Sequence, residues 1–215
     1  MAERSGQRRP AGTEPVGGQV HLPEPSLDGR VSLERALAGR RSVRSYGRRR
    51  LALEEAAQIL WAAQGITHGD AGRTAPSAGG LHPLRAYLVA ERVDGLEPGV
   101  YAYVARGHRL TEIVRARIVP DLAGAAWGQD WIAAAAAVLV LTAVYARTTD
   151  RYGDRGQRYV HMEVGHAAQN AHLQATALGL GAVVVGAFED AAVAKLIGSD
   201  PRERPLCLLP VGGRR

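Results

Sequence analysis

The sequence YVHMEVGHAAQNAHLQATALGLGAVVVGAF, residues 159–188, decides the fold. Its first part, residues 159–178, predicts the longest helix of the chain, and the small residues Gly165 and Ala167 permit another helix to pack closely against it. The apolar run AVVVGAF, residues 182–188, predicts a buried strand shortly after that helix. A long helix that leads into a buried strand indicates a domain of mixed secondary structure.

The flanking sequence predicts further helices and strands. Ser32 can cap a short helix that Gly39 ends, and Gly65 ends a second helix. Helices are predicted at 33–38, within 51–64, at 115–126 and at 190–197; strands at 84–93, in a hairpin over 99–113, after the alanines of 131–146 and at 206–212. Residues 66–83 and 153–159 predict loops, and residues 1–29 predict a loosely ordered tail. The mixture predicts an α/β or α+β domain of one sheet over residues 30–215.

The positive charge is concentrated in the first quarter of the chain. Residues 1–50 hold 11 of the 27 basic residues and 5 of the 21 acidic residues, so residues 51–215 hold 16 of each and are neutral. A local anion site or a basic arm therefore fits this charge distribution better than a basic surface all round.

The sequence lacks the patterns that are typical of several functional classes. The single cysteine, Cys207, excludes an internal disulfide and a cysteine-based zinc site. The predicted long helix carries His161, His166 and His172 at steps of five and six residues, which do not share a face, so we predict no metal site. There is no GxSxG, GxGxxG or GxxxxGK[ST] pattern. Because we find neither a signal peptide nor an apolar run long enough to span a bilayer, we predict a cytoplasmic protein without a membrane partner.

Six arginines lie within GRRSVRSYGRRR, residues 39–50. Arg40 and Arg44 flank Ser42 just after a predicted helix, and two guanidinium groups with a hydroxyl can hold a phosphate monoester. A solvated basic arm and a nucleic-acid contact are the alternatives for the same residues. No known nucleic-acid-binding motif occurs, and aromatic residues make up only 5% of the chain, so we predict no nucleic-acid partner.

Five motifs, in this order, resemble the nitroreductase superfamily of flavin enzymes: RRSVRSY, ILWAAQGIT, RTAPSAGGLHPLRAYLV, the stretch at 159–188, and LLPVG. The likeness runs from Leu33 to Gly213 and is closest to the dehydrogenases of the thiazole/oxazole-forming type. The resemblance implies an α+β fold, with a central mixed or antiparallel sheet flanked by helices, in an intertwined homodimer. It also implies the cofactor FMN, bound at the subunit interface with two sites per dimer.

The resemblance assigns cofactor-binding residues in four parts of the chain. The basic stretch at the FMN phosphate and flavin ring is Arg40, Arg41, Ser42 and Arg44. The loop that reaches the flavin of the other subunit is Pro76, Ser77, Ala78 and Gly80. The segment along the ring, with a backbone N–H that faces flavin N5, is Val184, Val185, Gly186 and Ala187, and the last basic group is Arg214 or Arg215. The remaining arginines of the rich stretch, Arg48, Arg49 and Arg50, have no match and are predicted to be a solvated charge run.

We therefore expect an FMN-dependent oxidoreductase that transfers a hydride between flavin and a small-molecule or peptide substrate, with NAD(P)H as a candidate reductant. The azole-forming branch uses a Lys-Tyr pair as its base, whereas the one lysine here, Lys195, precedes a leucine, so azoline oxidation is a weaker alternative. A flavin-binding subunit without turnover is another alternative. The side chains that could move protons are His82, Tyr145, Tyr152 and Tyr159. We assign none of them a catalytic role.

Overall fold

The computed structural model describes residues 17–69 and 72–215. The strands are β1 Gln19–His21, β2 Ile66–His68, β3 Gly72–Arg73, β4 Leu84–Ala90, β5 Gly99–Val104, β6 Arg109–Val114, β7 Ala137–Ala143, β8 Leu180–Ala182 and β9 Arg204–Gly213. The α-helices are α1 Leu33–Gly39, α2 Leu53–Gln64, α3 Val119–Ala125, α4 Ala146–Tyr152, α5 Arg155–Ala177 and α6 Asp190–Ile197. Short 3-10 turns lie at Ala78–Gly80 and Asp130–Ala134.

A seven-stranded sheet is the centre of the described structure, in the order β1-β6-β5-β4-β7-β9-β8. Its neighbouring strands pair antiparallel. Strands β2 and β3 form a separate small hairpin. The architecture is thus the α+β class with an antiparallel sheet, as the resemblance implies, and not the α/β alternative.

Both faces of the sheet are buried. Odd-numbered and even-numbered residues of the central strands point to opposite faces, and the side chains of both sets are mostly apolar. On β7, Leu139 and Leu141 pack into the core shared with α2 and α5. Their neighbours Val138 and Val140 point to the opposite face and pack with α3 and α6. Strand side chains alternate between the two faces, so an unbroken apolar run such as AVLVLTA fits a central strand covered on both sides.

The structure confirms several predicted elements and moves the bounds of others. Ser32 caps α1 by accepting the Arg35 N–H, and α6 has the predicted bounds Asp190–Ile197. Helix α5 begins at Arg155, inside the predicted polar loop, because α4 and α5 follow one another with only a short break at residues 153–154. The predicted strand at 182–188 was too long: regular pairing ends at Ala182, after which Val185 alone bridges to β9.

The predicted N-terminal tail is partly ordered. Residues 1–16 of it lie outside the described residues, but Gln19–His21 form β1 and pair with β6. The chain is extended at these three residues, because main-chain hydrogen bonds to an exposed strand edge require no apolar pattern in the added strand. A disordered or extended tail over residues 1–29 stays a prediction. In the described part of the chain, no helix is both long and apolar enough to cross a membrane. The cytoplasmic location stays a prediction.

Candidate functional site

The basic segment after α1, residues 40–47, lies beside the end of the sheet. The Val43 N–H donates to the carbonyl of Ala182 at 3.0 Å, and the Gly47 N–H donates to the carbonyl of Gly213 at 2.8 Å. Between them, the buried Tyr46 hydroxyl lies 3.2 Å from the carbonyl of Pro210 on β9. These contacts bring the predicted phosphate-binding arginines next to the C-terminal arginines, although the two groups stand at opposite ends of the sequence.

The arginines gathered here have no acidic partner. In residues 17–69 and 72–215, no carboxylate lies within ion-pair distance of Arg40, Arg41, Arg44, Arg214 or Arg215. Four of the five are held by neutral groups of the chain, and of these Arg41 donates to the carbonyls of Ala38 and Arg40 at 2.8 Å. Arg214 donates to the carbonyl of Leu180 and Arg215 to that of Tyr46, each at 3.1 Å, and the Arg44 guanidinium lies 5.9 Å from the centre of the Trp131 ring. This cluster of unpaired cations is what an anionic ligand requires.

A buried histidine lies beneath this cluster. His172 on α5 is 3% exposed, and its Nε2–H donates to the carbonyl of Arg41 at 3.1 Å. Burial lowers the pKa of His172; hydrogen bonds to the Arg41 and Ala182 carbonyls work against this effect, while the charges of Arg40 and Arg214 add to it. The influence of both guanidinium charges on one ring places Arg40 and Arg214 around His172.

The last three arginines of the rich stretch are not simply a solvated run. Arg49 makes a two-point ion pair with Glu55 at 2.9 Å, and the same carboxylate accepts the Ala52 N–H at the start of α2. Arg50 pairs with Asp94 at 2.5 Å and donates to the Val93 carbonyl. For these two residues the prediction is corrected: they fasten the chain to α2 and to the β4–β5 loop. Their charges are already neutralised, unlike those of Arg40 and Arg44.

The segment Val184–Ala187 presents backbone groups to the outside. The Val185 N–H and carbonyl both bond to Leu208 on β9, at 2.8 and 2.9 Å, so neighbouring residues face the opposite way. Val184 is 44% exposed, and the Gly186 N–H has no hydrogen-bond partner in the described part of the chain. A Cβ added to Gly186 would meet nothing within 4 Å. In the described part of the chain Gly186 is exposed, and the absence of a side chain leaves room for a flat ring to approach the backbone closely.

The loop predicted to reach the other subunit lies against the middle of α5. Gly79 and Gly80 have φ of 60° and 64°, the left-handed region that favours glycine, so the backbone itself requires glycine at 80. The Ser77 hydroxyl accepts the His82 N–H at 2.9 Å. The Ser77 side chain also lies near the carboxyl of Glu163 on α5, which is 3% exposed. Burial raises the pKa of Glu163, and the contacts with Ser77 and Arg73 only partly offset it.

One chain keeps the two halves of the predicted site apart. The basic segment contacts α5 at His172, whereas the Ser77 loop contacts it at Glu163. Nine residues of helix separate these positions, about 14 Å along the axis. The structure therefore brings Arg40 and Arg214 together beside β8, while Arg44 of the same segment lies against the Trp131 ring. It places Pro76, Ser77, Ala78 and Gly80 elsewhere on the same chain.

The sequence analysis considered His172 only as a metal ligand and did not name Glu163, although the helical pattern indicates that both are buried. His172 falls on the buried stripe Ala168, Ala171, Ala175, at steps of three and four residues. Glu163 falls likewise between Val160 and Ala167. A polar residue inside an apolar helical stripe is expected to have a specific partner.

The donor set fits FMN. A phosphate monoester carries nearly two negative charges and accepts several hydrogen bonds, which matches unpaired arginines and the Ser42 hydroxyl, itself without a partner in the described residues. The free N–H and open space at Gly186 suit the edge of a planar ring. By contrast, no group of three or more His, Cys, Asp or Glu in the described ranges could hold a metal ion.

Comparisons with known proteins define the family. A sequence model of the Nitroreductase family matches residues 37–213. A protein of Methanocaldococcus jannaschii named "Putative nitroreductase MJ1384" is 45% identical over 197 residues, which are 92% of this chain and 98% of that protein. A solved structure from Ralstonia eutropha, also titled a putative nitroreductase, is 27% identical with a TM-score of 0.80 and covers 95% of this chain and 96% of its own. The chain belongs to the nitroreductase family.

Two more distant structures share the fold. One is the E. coli microcin synthetase McbBCD complex with truncated pro-MccB17 bound, at 24% identity and a TM-score of 0.71, covering 91% of this chain and 77% of that chain. The other is the NADPH:FMN oxidoreductase of Vibrio harveyi complexed with NAD+, at 20% identity and a TM-score of 0.61, covering 84% and 68%. The one lysine of the sequence, Lys195, is exposed on α6.

Proposed function

We propose that this member of the nitroreductase family is an FMN-dependent oxidoreductase that works as a homodimer. The observation that carries the proposal is the cluster of Arg40, Arg44 and Arg214, three cations without an acidic partner in the described residues. Their place beside the exposed segment at 184–187 supports a ligand with both a phosphate and a flat ring. Residues 30–215 are the proposed FMN-binding domain.

Each part of the chain has a distinct task in this proposal. Arg40, Arg44, Ser42 and an arginine of the chain end bind the phosphate, and the Gly186 N–H donates to the edge of the ring. When bound, flavin supplies the two-electron chemistry of hydride transfer, which the protein side chains cannot perform themselves. A fixed N–H donor at the ring stabilises negative charge that develops there, because it is already oriented.

The separation of the two halves along α5 supports the homodimer. If Ser77 and Gly80 approach the flavin of a second copy of the chain, as the family resemblance implies, each site combines the basic segment of one chain with this loop of the other. Helix α5 of each chain then lies beside two proposed flavin sites, one near His172 and one near Glu163. The substrate class is a small molecule or a peptide, and NAD(P)H is the proposed reductant, by analogy with the pyridine nucleotide in the Vibrio harveyi structure.

The first test is the visible spectrum of the purified protein, followed by identification of the flavin released on heating. Flavin absorption bands and released FMN, bleached by NADH or NADPH without oxygen, are the expected results. A colourless protein that takes up no added FMN would refute the proposed function. A yellow protein that neither NAD(P)H nor any other hydride donor reduces would instead indicate a flavin-binding subunit without turnover.

A mixing experiment tests the shared site. Arg40→Ala damages the phosphate half and Ser77→Ala the loop half, so each homodimer has two impaired sites. In a mixed dimer, one site receives both changes and the other receives neither. We expect mixtures of the two variants to regain part of the FMN retention that each lacks alone, and no recovery would contradict a site built from two chains.

A further inference from the structure

Among the described residues of α5, His172 is the titratable side chain that is buried beneath the basic cluster. On α5, no other side chain between His166 and the helix end can titrate. Strand β8, which packs against it, has the sequence LGA and carries no charge. The charged groups that act on the ring are Arg40, at the end of α1, and Arg214, after β9. Any change in charge at these two arginines is therefore felt by His172.

The hydrogen bonds of the ring favour a proton, while its charged neighbours oppose one. The carbonyl of Arg41 accepts from Nε2 at 3.1 Å, and the carbonyl of Ala182 also stabilises the protonated ring. Burial and the two guanidinium charges destabilise it. An anion that binds Arg40 and Arg214 would offset the repulsion and add an attraction of its own, so the balance would shift towards the imidazolium.

We propose that His172 is an additional cation of the phosphate site, neutral while the site is empty and protonated when a phosphate monoester binds at Arg40 and Arg214. This inference rests on the proposed function, because it takes the FMN phosphate as that monoester. FMN binding is then accompanied by proton uptake at His172. The retention of FMN depends on pH through a residue of the protein as well as through the phosphate itself.

The direction of the pH effect follows from linkage. In the empty site the pKa of His172 lies below its ordinary value of 6.5, and in the occupied site it is higher. Between these two values the complex holds one proton more than the free components, so FMN affinity rises as the pH falls through that window. One proton sets the limit at about tenfold per pH unit. The flavin phosphate has its own second pKa near 6, which acts in the same way on every protein variant.

His172→Gln is the matched variant. A glutamine amide can still donate to the Arg41 carbonyl, but it does not titrate. The flavin-stripped wild type and variant are titrated with FMN from about pH 8 to about pH 5.5, and calorimetry in two buffers of different ionisation enthalpy counts the protons exchanged. Riboflavin, which lacks the phosphate, is the control ligand. Circular dichroism and the unfolding midpoint show whether the variant is folded.

We expect similar FMN affinities for both proteins near pH 8. At lower pH the wild type should gain up to about tenfold over His172→Gln per pH unit and take up as much as one proton more. Riboflavin should show no such uptake in the wild type, a comparison that needs no variant. Equal proton exchange in both proteins, or equal uptake with riboflavin, would overturn the inference and leave the proposed function intact. Failure of the wild type to bind FMN would overturn both.

Discussion

Arg40 and Arg49 lie nine residues apart, and replacing each with alanine should have opposite effects on cofactor binding and stability. The Arg40 side chain has no acidic partner in the described structure, whereas Arg49 forms a two-point pair with Glu55. Both substitutions remove one positive charge, so effects of total charge are the same in both variants. A difference in FMN affinity between the two variants therefore depends on where the lost charge was located.

The magnitudes follow from what each side chain contacts. Loss of a hydrogen bond to a charged group costs about 1.5–3 kcal/mol, so Arg40→Ala should weaken FMN binding roughly 10- to 150-fold. Its effect on unfolding should stay within about 0.5 kcal/mol, because the Arg40 N–H that ends α1 is a backbone group and remains. Arg49→Ala should leave FMN affinity within about twofold and lower stability by about 0.2–1 kcal/mol, the value of a half-exposed ion pair.

Two titrations decide between the outcomes. FMN fluorescence is followed as flavin-stripped protein is added, and urea unfolding is followed by circular dichroism. The reasoning fails if both variants lose FMN affinity equally, since the paired and unpaired arginines would then be equivalent. It also fails if Arg40→Ala is the less stable of the two.

Three further substitutions test the structure around the site. Gly181→Ala should cost about 1–3 kcal/mol in unfolding free energy and weaken FMN binding, because the added Cβ would lie 2.6 Å from a methyl group of Val43, in the basic segment. Glu163→Gln should match the wild type in thermal stability near pH 4 and exceed it near pH 7. Burial raises the pKa of Glu163. The contribution of the Glu163 carboxyl to the free energy of unfolding is therefore favourable below its ordinary pKa and is lost as the pH rises through the raised value. Tyr87→Phe should lower the unfolding free energy by about 1–3 kcal/mol, because buried Glu203 would lose a donor at 2.8 Å.

The first of these predictions has a matched control, and the second has an outcome that would contradict it. Gly124→Ala adds the same methyl group in helix α3, where a Cβ would meet nothing within 4 Å, and should stabilise the protein by about 0.5–1 kcal/mol. A loss at Gly124 as large as that at Gly181 would show that crowding at Val43 is not the cause. A pH-independent effect of Glu163→Gln would contradict the burial of an ionising carboxyl.

Local sequence signals predicted the elements that begin or end at a residue typical of a helix terminus. Ser32 and Gly39 delimit α1, and Gly198, in the left-handed conformation, ends α6. The elements with wrong bounds depend on contacts far along the chain. Helix α5 extends back to Arg155 through polar residues, and β1 exists only because β6 offers an open edge. Such tertiary support is not encoded in residue periodicity.

The same distinction between local sequence signals and long-range contacts applies to the candidate site. Composition and a family-like motif predict Arg40 and Arg44 as phosphate-binding residues, because a phosphate needs positive charge. The partners of Arg49 and Arg50 could not be predicted, since Asp94 is distant in sequence and only the folded chain brings it close. The separation of Ser77 from the basic cluster is likewise a property of α5 packing and cannot be derived from either motif alone.

The joining of sequence-distant segments at the basic cluster has a consequence for folding. Tyr46 contacts Pro210 across 164 residues, and Arg215 contacts Tyr46 across 169. Contacts of such long sequence separation form late, because the entropy of closing the loop must be overcome first. A partly synthesised chain, which lacks β9, has no completed anion site. Flavin capture should therefore follow the pairing of β9, and intermediates that contain α5 and the β4–β5–β6 strands but lack β9 should remain colourless.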